Sequence, residues 1–409
     1  MSKTLWIVSG GIEAISGIRL AKEMGLHVVV SDRNPKAPGF AFADDRVLAD
    51  TYDINATVEA ARKYSRAVRP VDGVMCIASD VPLTVASTAA ALGLPGIPVA
   101  SALLAADKLE MKRKFEQDGV PIPWFSPVES GAHLREIVRR RGFPLVLKPV
   151  DSRGARGVLL LRAGTDLDWA YGLSHHHSPT GRVMVEEFLP GPQVSTESIV
   201  LDGIAYTPGF ADRNYEYLDR YAPHIIENGG DLPSRLPEST QEEIRSLVQK
   251  AARSMGIGNG VVKGDMVVSD GKAYVIELAA RLSGGYFCTH EIPLNTGVDF
   301  VGQAIRLALG ERLDPLALTP RFQKGVAQRY LFPEPGRVVR ITGEEDVARR
   351  PGIVHCEIRV AVGDVIGPMD SHPARPGVVI ATGDTREVAI NRAVAAVKDI
   401  CIETEAIAS

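Results

Sequence analysis

Lys148 sits in the apolar run "LVLKPV", and the loop after it, "DSRGARG", sets Arg153 and Arg156 among Gly154 and Gly157. An ammonium among Leu145, Val146, Leu147 and Val150 must reach an anionic partner or escape to water. The two glycines let the loop turn backbone N–H groups toward a bound anion, so lysine and loop together suit a phosphate. Farther along, "GDMVVSDGKAYVIELAARLSGG" places one acid in each of two β-rich runs, Asp265 and Glu277. Register decides whether they meet. A three-residue loop, Ser269-Asp270-Gly271 with Gly271 left-handed, sets 265 opposite 275 and 263 opposite 277. The acids are then diagonal neighbours on one face, roughly 7–8 Å apart at the backbone. A two-residue Asp-Gly turn pairs 265 with 276 and sends them to opposite faces. The three-residue loop is expected, giving two carboxylates able to hold magnesium through oxygens at about 2.1 Å. Arg281, close behind Glu277, is either their salt-bridge partner or a group that neutralises a transferring phosphoryl.

The surrounding elements must hold these groups. The N-terminal part alternates "TLWIVSGG", a helix over Ala14 to Met24, "HVVVSD", a helix through "INATVEAARKYSRAV", "DGVMCIA" and a helix over Leu83 to Leu92. Such alternation predicts a doubly wound parallel sheet with helices on both faces. "SGGIEAISG" with Asp32 beyond it invites a dinucleotide reading, but Gly10, Gly11 and Gly17 do not fall on GxGxxG, and a tight turn is the simpler expectation. Asp107 is placed to cap a helix running to about Gln117, with Lys108 opening it and Gly119 ending it. "LREIVRRRGFPLVLKPV" reads helix, turn, strand, and Val158 to Leu161 closes a hairpin over the loop. From about Lys324 short β runs alternate with turns, and a helix from Thr385 to Ile400 closes the chain.

Other candidates are weaker. "VMVEEFLPG" ends a strand with Glu186 and Glu187, followed by Phe188 and Leu189; this is a solvated strand end, or a cleft edge whose backbone meets a base. Ser283, Gly284 and Gly285 lie next to Arg281, where their N–H groups could meet a substrate carboxylate. His290 is a base or, more often for a lone histidine, a bonded structural residue. Glu227 is either a contact for an amino group or part of a solvated linker, and His175 to His177 read as exposed loop.

Composition narrows the classes. The 409 residues are 45% hydrophobic and 23% charged with net charge −4, which suits a soluble multidomain chain and leaves no basic stripe for nucleic acid. No apolar run is long enough for a membrane span, and the N-terminus lacks an export signal, so a cytoplasmic protein is expected. The four cysteines, Cys76, Cys288, Cys356 and Cys401, show no CxxC spacing and read as small core residues.

Taken in order, Lys108, Lys148 in "LVLKPV", "DSRGARGV", "VEEFLPG", and Asp265 and Glu277 followed by Arg281 resemble the ATP-grasp superfamily, in the amino-acid ligase and biotin carboxylase-like branch. The resemblance covers nearly the whole chain. It implies a Rossmann-like domain over 1–106, an α+β ATP-grasp domain over 107–323 with a mobile subdomain at about 120–187, and a small β-rich lid domain over 324–409. It further implies that Lys108 and Lys148 hold the α- and β-phosphates of ATP, and that the loop with Ser152, Gly154 and Gly157 covers the β- and γ-phosphates. Glu186, Glu187, Phe188 and Leu189 would meet adenine, Asp265 and Glu277 would hold one or two Mg2+ ions, and Arg281 would steady an acyl phosphate. Two positions depart from the family pattern: Gln193 stands where many members carry a ribose-binding glutamate, and Ala279 where an asparagine supplies a further metal ligand. The implied activity is ATP-dependent ligation of a carboxylate to an amine, with small-molecule substrates and a homodimeric assembly. A bicarbonate-activating carboxylase and a non-catalytic nucleotide-binding module are the alternatives.

Overall fold

A computed structural model of the chain describes residues 2–407. The N-terminal strands Thr4–Val8, His27–Asp32, Asp45–Leu48 and Gly73–Met75 form a parallel sheet in the spatial order third, second, first, fourth. Strand Thr4–Val8 is buried throughout, as a central parallel strand must be. Leu5 and Ile7 pack with Ile18 and Ala21 on one face, and Trp6 and Val8 with Ala61 and Tyr64 on the other. The predicted winding on both faces is therefore present. Asp32 accepts hydrogen bonds from the backbone N–H groups of Gly10 and Asn34, both at 2.9 Å. Its carboxylate ties down the turn, in keeping with the simpler reading of "SGGIEAISG".

Helix Lys108–Gln117 runs as predicted, its first turn capped by the Asp107 carboxylate, which accepts from Leu109 and Glu110 N–H at 3.0 Å. A four-stranded antiparallel sheet follows, in the order Phe125–Val128, Val183–Glu187, Leu145–Pro149, Leu159–Leu161. Its two faces differ. Leu145, Leu147, Val183 and Val185 enter a core under the helices Gly131–Arg141 and Leu167–His176. The alternate residues Lys148 and Glu186, from neighbouring strands, turn to the opposite face. His175 and His176 belong to the last turn of a helix rather than to a loop.

Among the described residues, three of the six C-terminal strands join the central sheet instead of forming one of their own. Gly325–Tyr330, Gly377–Gly383 and Ile353–Ile358 extend a single eight-stranded antiparallel sheet that starts from Lys272–Ala279 and Gly260–Ser269. The short strand Gly230–Leu232 joins the two halves, pairing with Ile204–Arg213 on one side and Gly325–Tyr330 on the other. Only Gly336–Thr342, Val365–Ile366 and Cys401–Glu405 make a separate sheet. Among the described residues no helix is long and apolar enough to cross a membrane.

Candidate functional site

One cavity of about 590 Å³ lies where the N-terminal sheet, the four-stranded sheet and the eight-stranded sheet converge. Of the sequence-predicted site residues, Lys108, Lys148, Ser152, Gly154, Gly157, Glu186, Glu187, Phe188, Leu189, Gln193, Glu227, Asp265, Glu277, Arg281, Ser283, Gly284, Gly285 and His290, all but Gly157 and His290 line it.

The two acids meet, though not by the expected turn. Ser269 pairs with Lys272, so the loop has two residues, Asp270 and Gly271, both left-handed at φ 50° and 73°. Alone, that turn would throw the acids apart. A bulge between Asp265 and Met266 in the pairing takes up one extra residue on the partner strand, Ile276, and brings Asp265 directly opposite Glu277. The same bulge changes the spacing of core residues from Ala273 and Val275 to Leu278, leaving Ile276 and Glu277 both on the cavity side.

Each acid has a cation at hand. Arg213 donates to Asp265 at 2.7 Å and Lys263 also pairs with it. Burial raises the Asp265 carboxyl, but Arg213 and Lys263 outweigh it and hold the group well below the usual carboxylate range. Lys108 Nζ lies 3.5 Å from Glu277 and donates at 2.9 Å to the carbonyl of Ser152, so it ties the acid to the glycine loop. Arg281 does not pair with either acid. Its nearest carboxylate is Asp80, at 3.4 Å, from the loop after the last N-terminal strand.

Lys148 has its anionic partner in Glu186, which also accepts an ion pair from Lys112 at 2.8 Å. Burial lowers the Lys112 ammonium to about 8 against the pull of Glu186. For Glu186 burial works upward, yet Lys112 and Lys148 together hold the carboxyl below its ordinary value. The Glu186 side chain thus turns beneath the lysines. Glu187, its neighbour, is exposed at the cavity mouth.

The stretch expected to receive a substrate carboxylate is partly occupied by the protein's own acids. Ser283 is buried, and both its N–H, at 2.8 Å, and its hydroxyl donate to Glu197. Gly285 N–H donates at 2.8 Å to Glu13, which Arg359 holds at 2.9 Å. His290 stays away from the cavity because its ring packs against Tyr286 and His355 and meets the Thr289 hydroxyl at 2.9 Å. Burial, then His355, push it down to about 4, so it is neutral at physiological pH. Glu227 does reach the cavity, in an ion pair with Arg213. Sequence reasoning missed Lys112, Asp80, Arg213, Glu13 and Arg359. Only Lys112 carries a local signal, since it falls one helical turn after Lys108 and shares its face.

Comparison with known proteins agrees with this arrangement. Residues 18–96 match the ATP-grasp N-terminal domain, 105–285 the ATP-grasp domain, and 329–405 the L-amino acid ligase C-terminal domain 2. The chain is 27% identical to protein y4rH of Sinorhizobium fredii, over 93% of its own length and 79% of that protein's. It is 29% identical to the D-alanine–D-alanine ligase of Desulforudis audaxviator over 46% of this chain, which spans 62% of that enzyme. Among solved structures it is similar to the L-amino acid ligase from Bacillus licheniformis, with TM-score 0.83, 22% identity and 99% of each chain covered. With three domain models matched in succession around a cavity lined by these lysines, acids and arginines, the chain belongs to the ATP-grasp superfamily.

Proposed function

We propose that this chain couples an amino acid, or a similarly small carboxylic acid, to an amine through an acyl phosphate, releasing ADP and phosphate. The observation that carries the reading is the convergence on one cavity of Lys108, Lys148 and Arg281 with the opposed pair Asp265 and Glu277. Two facing carboxylates offer hard oxygen donors, which fit Mg2+ better than a softer metal, and the ion takes its remaining ligands from phosphate oxygens and water. Asp265 and Glu277 would hold it, and when bound it supplies charge neutralisation at the phosphates.

The residues of the chain then divide the work. Lys148 and Lys108 present ammonium groups to the nucleotide phosphates, and the Glu186 carboxylate beneath fixes where Lys148 can reach. Arg281, anchored by Asp80, faces the cavity as a fixed positive charge where a carboxylate attacks the γ-phosphate and negative charge builds. The glycine loop lies over the cavity and keeps water from the acyl phosphate. Most of the acceleration would come from positioning and charge neutralisation, with no covalent enzyme nucleophile.

The test is ADP release with ATP, magnesium and pairs drawn from a panel of L-amino acids, with products identified by mass spectrometry. Release that requires an acid and an amine together is the expected result. Lys148→Ala and Glu277→Gln should each lower turnover by about 100-fold or more with the melting temperature little changed, because in the first Glu186 keeps Lys112. ADP release driven by bicarbonate alone, or nucleotide binding without turnover across the panel, would overturn the reading.

A further inference from the structure

Four charged side chains among the described residues both line the cavity and are buried: Lys148, Glu186, Arg375 and Glu291. The first two neutralise each other. The other two have no opposite charge within ion-pair distance. Arg375, 8% exposed, donates through Nε to the carbonyl of His372 and through Nη1 to the carbonyl of Glu227, both at 2.8 Å. Its guanidinium lies 3.5 Å from the centroid of the Tyr330 ring. All three contacts are neutral. They fix the plane of the fork without supplying the anion that a buried guanidinium calls for. Glu291, 3% exposed, is the mirror case. Burial, with Glu227 and Asp231 adding to it, pushes its carboxyl well above the usual range; Arg329 opposes this only in part and is itself ion-paired with Asp231.

We propose that Arg375 and Glu291 are the substrate-discriminating charge receptors of this site: Arg375 takes the carboxylate that is not activated, on the amine substrate, and Glu291 takes the ammonium that is not acylated, on the acid substrate. The assignment rests on the ligase reading above. In a coupling of two amino acids one carboxylate and one ammonium are consumed and one of each survives. The cavity holds one buried cation and one buried acid for which the protein provides no partner, which matches the surviving pair. Arg375 reaches the site from the C-terminal segment, and Glu291 from the segment following the Ser283–Gly285 turn. The two selecting groups are thus separate from the lysines and the paired acids.

The experiment takes the amino-acid pair that releases ADP fastest and compares it with the amine substrate as its carboxamide and with the acid substrate as its N-acetyl derivative. The unmodified enzyme should show KM raised about 10- to 100-fold for each blocked substrate, the range of one charge-assisted hydrogen-bonded contact. Arg375→Gln should raise KM for the free amine substrate by a similar factor, leave the carboxamide's KM and the kcat unchanged, and be partly rescued by Arg375→Lys. Glu291→Gln should do the same for the acid substrate against its N-acetyl form. Equal use of free and blocked substrates by the unmodified enzyme would overturn the proposal even if a variant failed to fold. A rise in KM for ATP in Arg375→Gln, or a kcat lost equally with both amine forms, would overturn it by showing a nucleotide-binding or purely structural role. Should no pair release ADP, the ligase reading itself falls; calorimetric binding of L-alanine against L-alaninamide then decides for Arg375, with equal affinity overturning it.

Discussion

Glu197 shows how much a single buried group under the site can set. It is fully buried, and Ser283 is its hydrogen-bond donor through both N–H and hydroxyl. Burial raises its carboxyl to about 7, more than the two Ser283 bonds and Arg281 lower it. A raised folded-state value means that the native protein keeps a proton which the unfolded chain releases above about 4.5. This contribution to stability is therefore full below pH 4.5 and is lost as pH rises through about 7. Glu197→Gln removes the titration. The variant should match the parent in melting temperature near pH 4.5 and exceed it increasingly up to pH 7 and beyond, by on the order of 3 kcal/mol at most. A pH series of melting curves checks this, and parallel profiles for the two proteins would contradict it. Residues of this kind were hard to read in the sequence. Lys148 stood out because an apolar strand surrounded it, whereas Glu197 lies in "QVSTESIVL", where polar neighbours hide its burial. In "KLEMKRKFEQ" five basic or acidic side chains besides Lys112 compete for attention, and although its one-turn spacing from Lys108 points to the site, its burial follows only from packing.

Among the elements, the paired strands Gly260–Ser269 and Lys272–Ala279 carry the clearest lesson. Their existence, their turn region and the meeting of the two acids were legible; the route by which they meet was not. Asp270-Gly271 made the tight two-residue turn that such a dipeptide favours, and the bulge at Ile276 then restored the acids to one face. The bulge has a trace in the sequence, since the apolar core positions Ala273, Val275 and Leu278 break the period of two. Deleting Ile276 tests what the bulge does. Without it Glu277 falls opposite Asp265 in regular alternation and the core residues keep their face, so the chain should still fold. Glu277 and the residues after it keep their pairing, so the deletion removes only the bend and extra twist by which the bulge aims Glu277 and the stretch leading to Arg281. A change of aim of about 1 Å at these groups should lower ADP release by about 100-fold, while circular dichroism and the unfolding midpoint stay near those of the parent. An active deletion variant would show that the bulge does not set the position of Arg281.

At the scale of the whole molecule, the wound sheet and the β-rich tail could be read from alternating patterns and the grasp segment from the resemblance its motifs carry, but the joining of the tail to the central sheet could not. Nothing local in "NGGDLPS" marks Gly230–Leu232 as the strand that bridges two halves; only its two neighbours in space define it. That joining places the tail against the glycine loop. His372 N–H donates at 3.0 Å to the carbonyl of Gly154, and Pro373 packs so closely on Gly154, which is left-handed at φ 62°, that a β-carbon there would lie 3.0 Å from the proline ring. From the opposite side Tyr52, beyond the third N-terminal strand, receives the Arg153 guanidinium 4.1 Å from its ring centroid. The loop is thus clasped by both flanking parts of the chain at once, and in the proposed reading its closure over a nucleotide requires docking on each. Tyr52→Ala removes one clasp without touching the lysines or the paired acids. A cation–π contact at an exposed ring such as Tyr52 contributes about 0.5–1 kcal/mol, so KM for ATP should rise about 2- to 5-fold. A loop that closes less completely also admits water to the acyl phosphate. ADP release should therefore outrun amide formation in the variant, whereas the parent keeps the two equal. Measuring both products in one reaction separates a loosened lid from a damaged site: a site defect lowers them together, and an unchanged ratio with unchanged KM would show that Tyr52 does not clasp the loop.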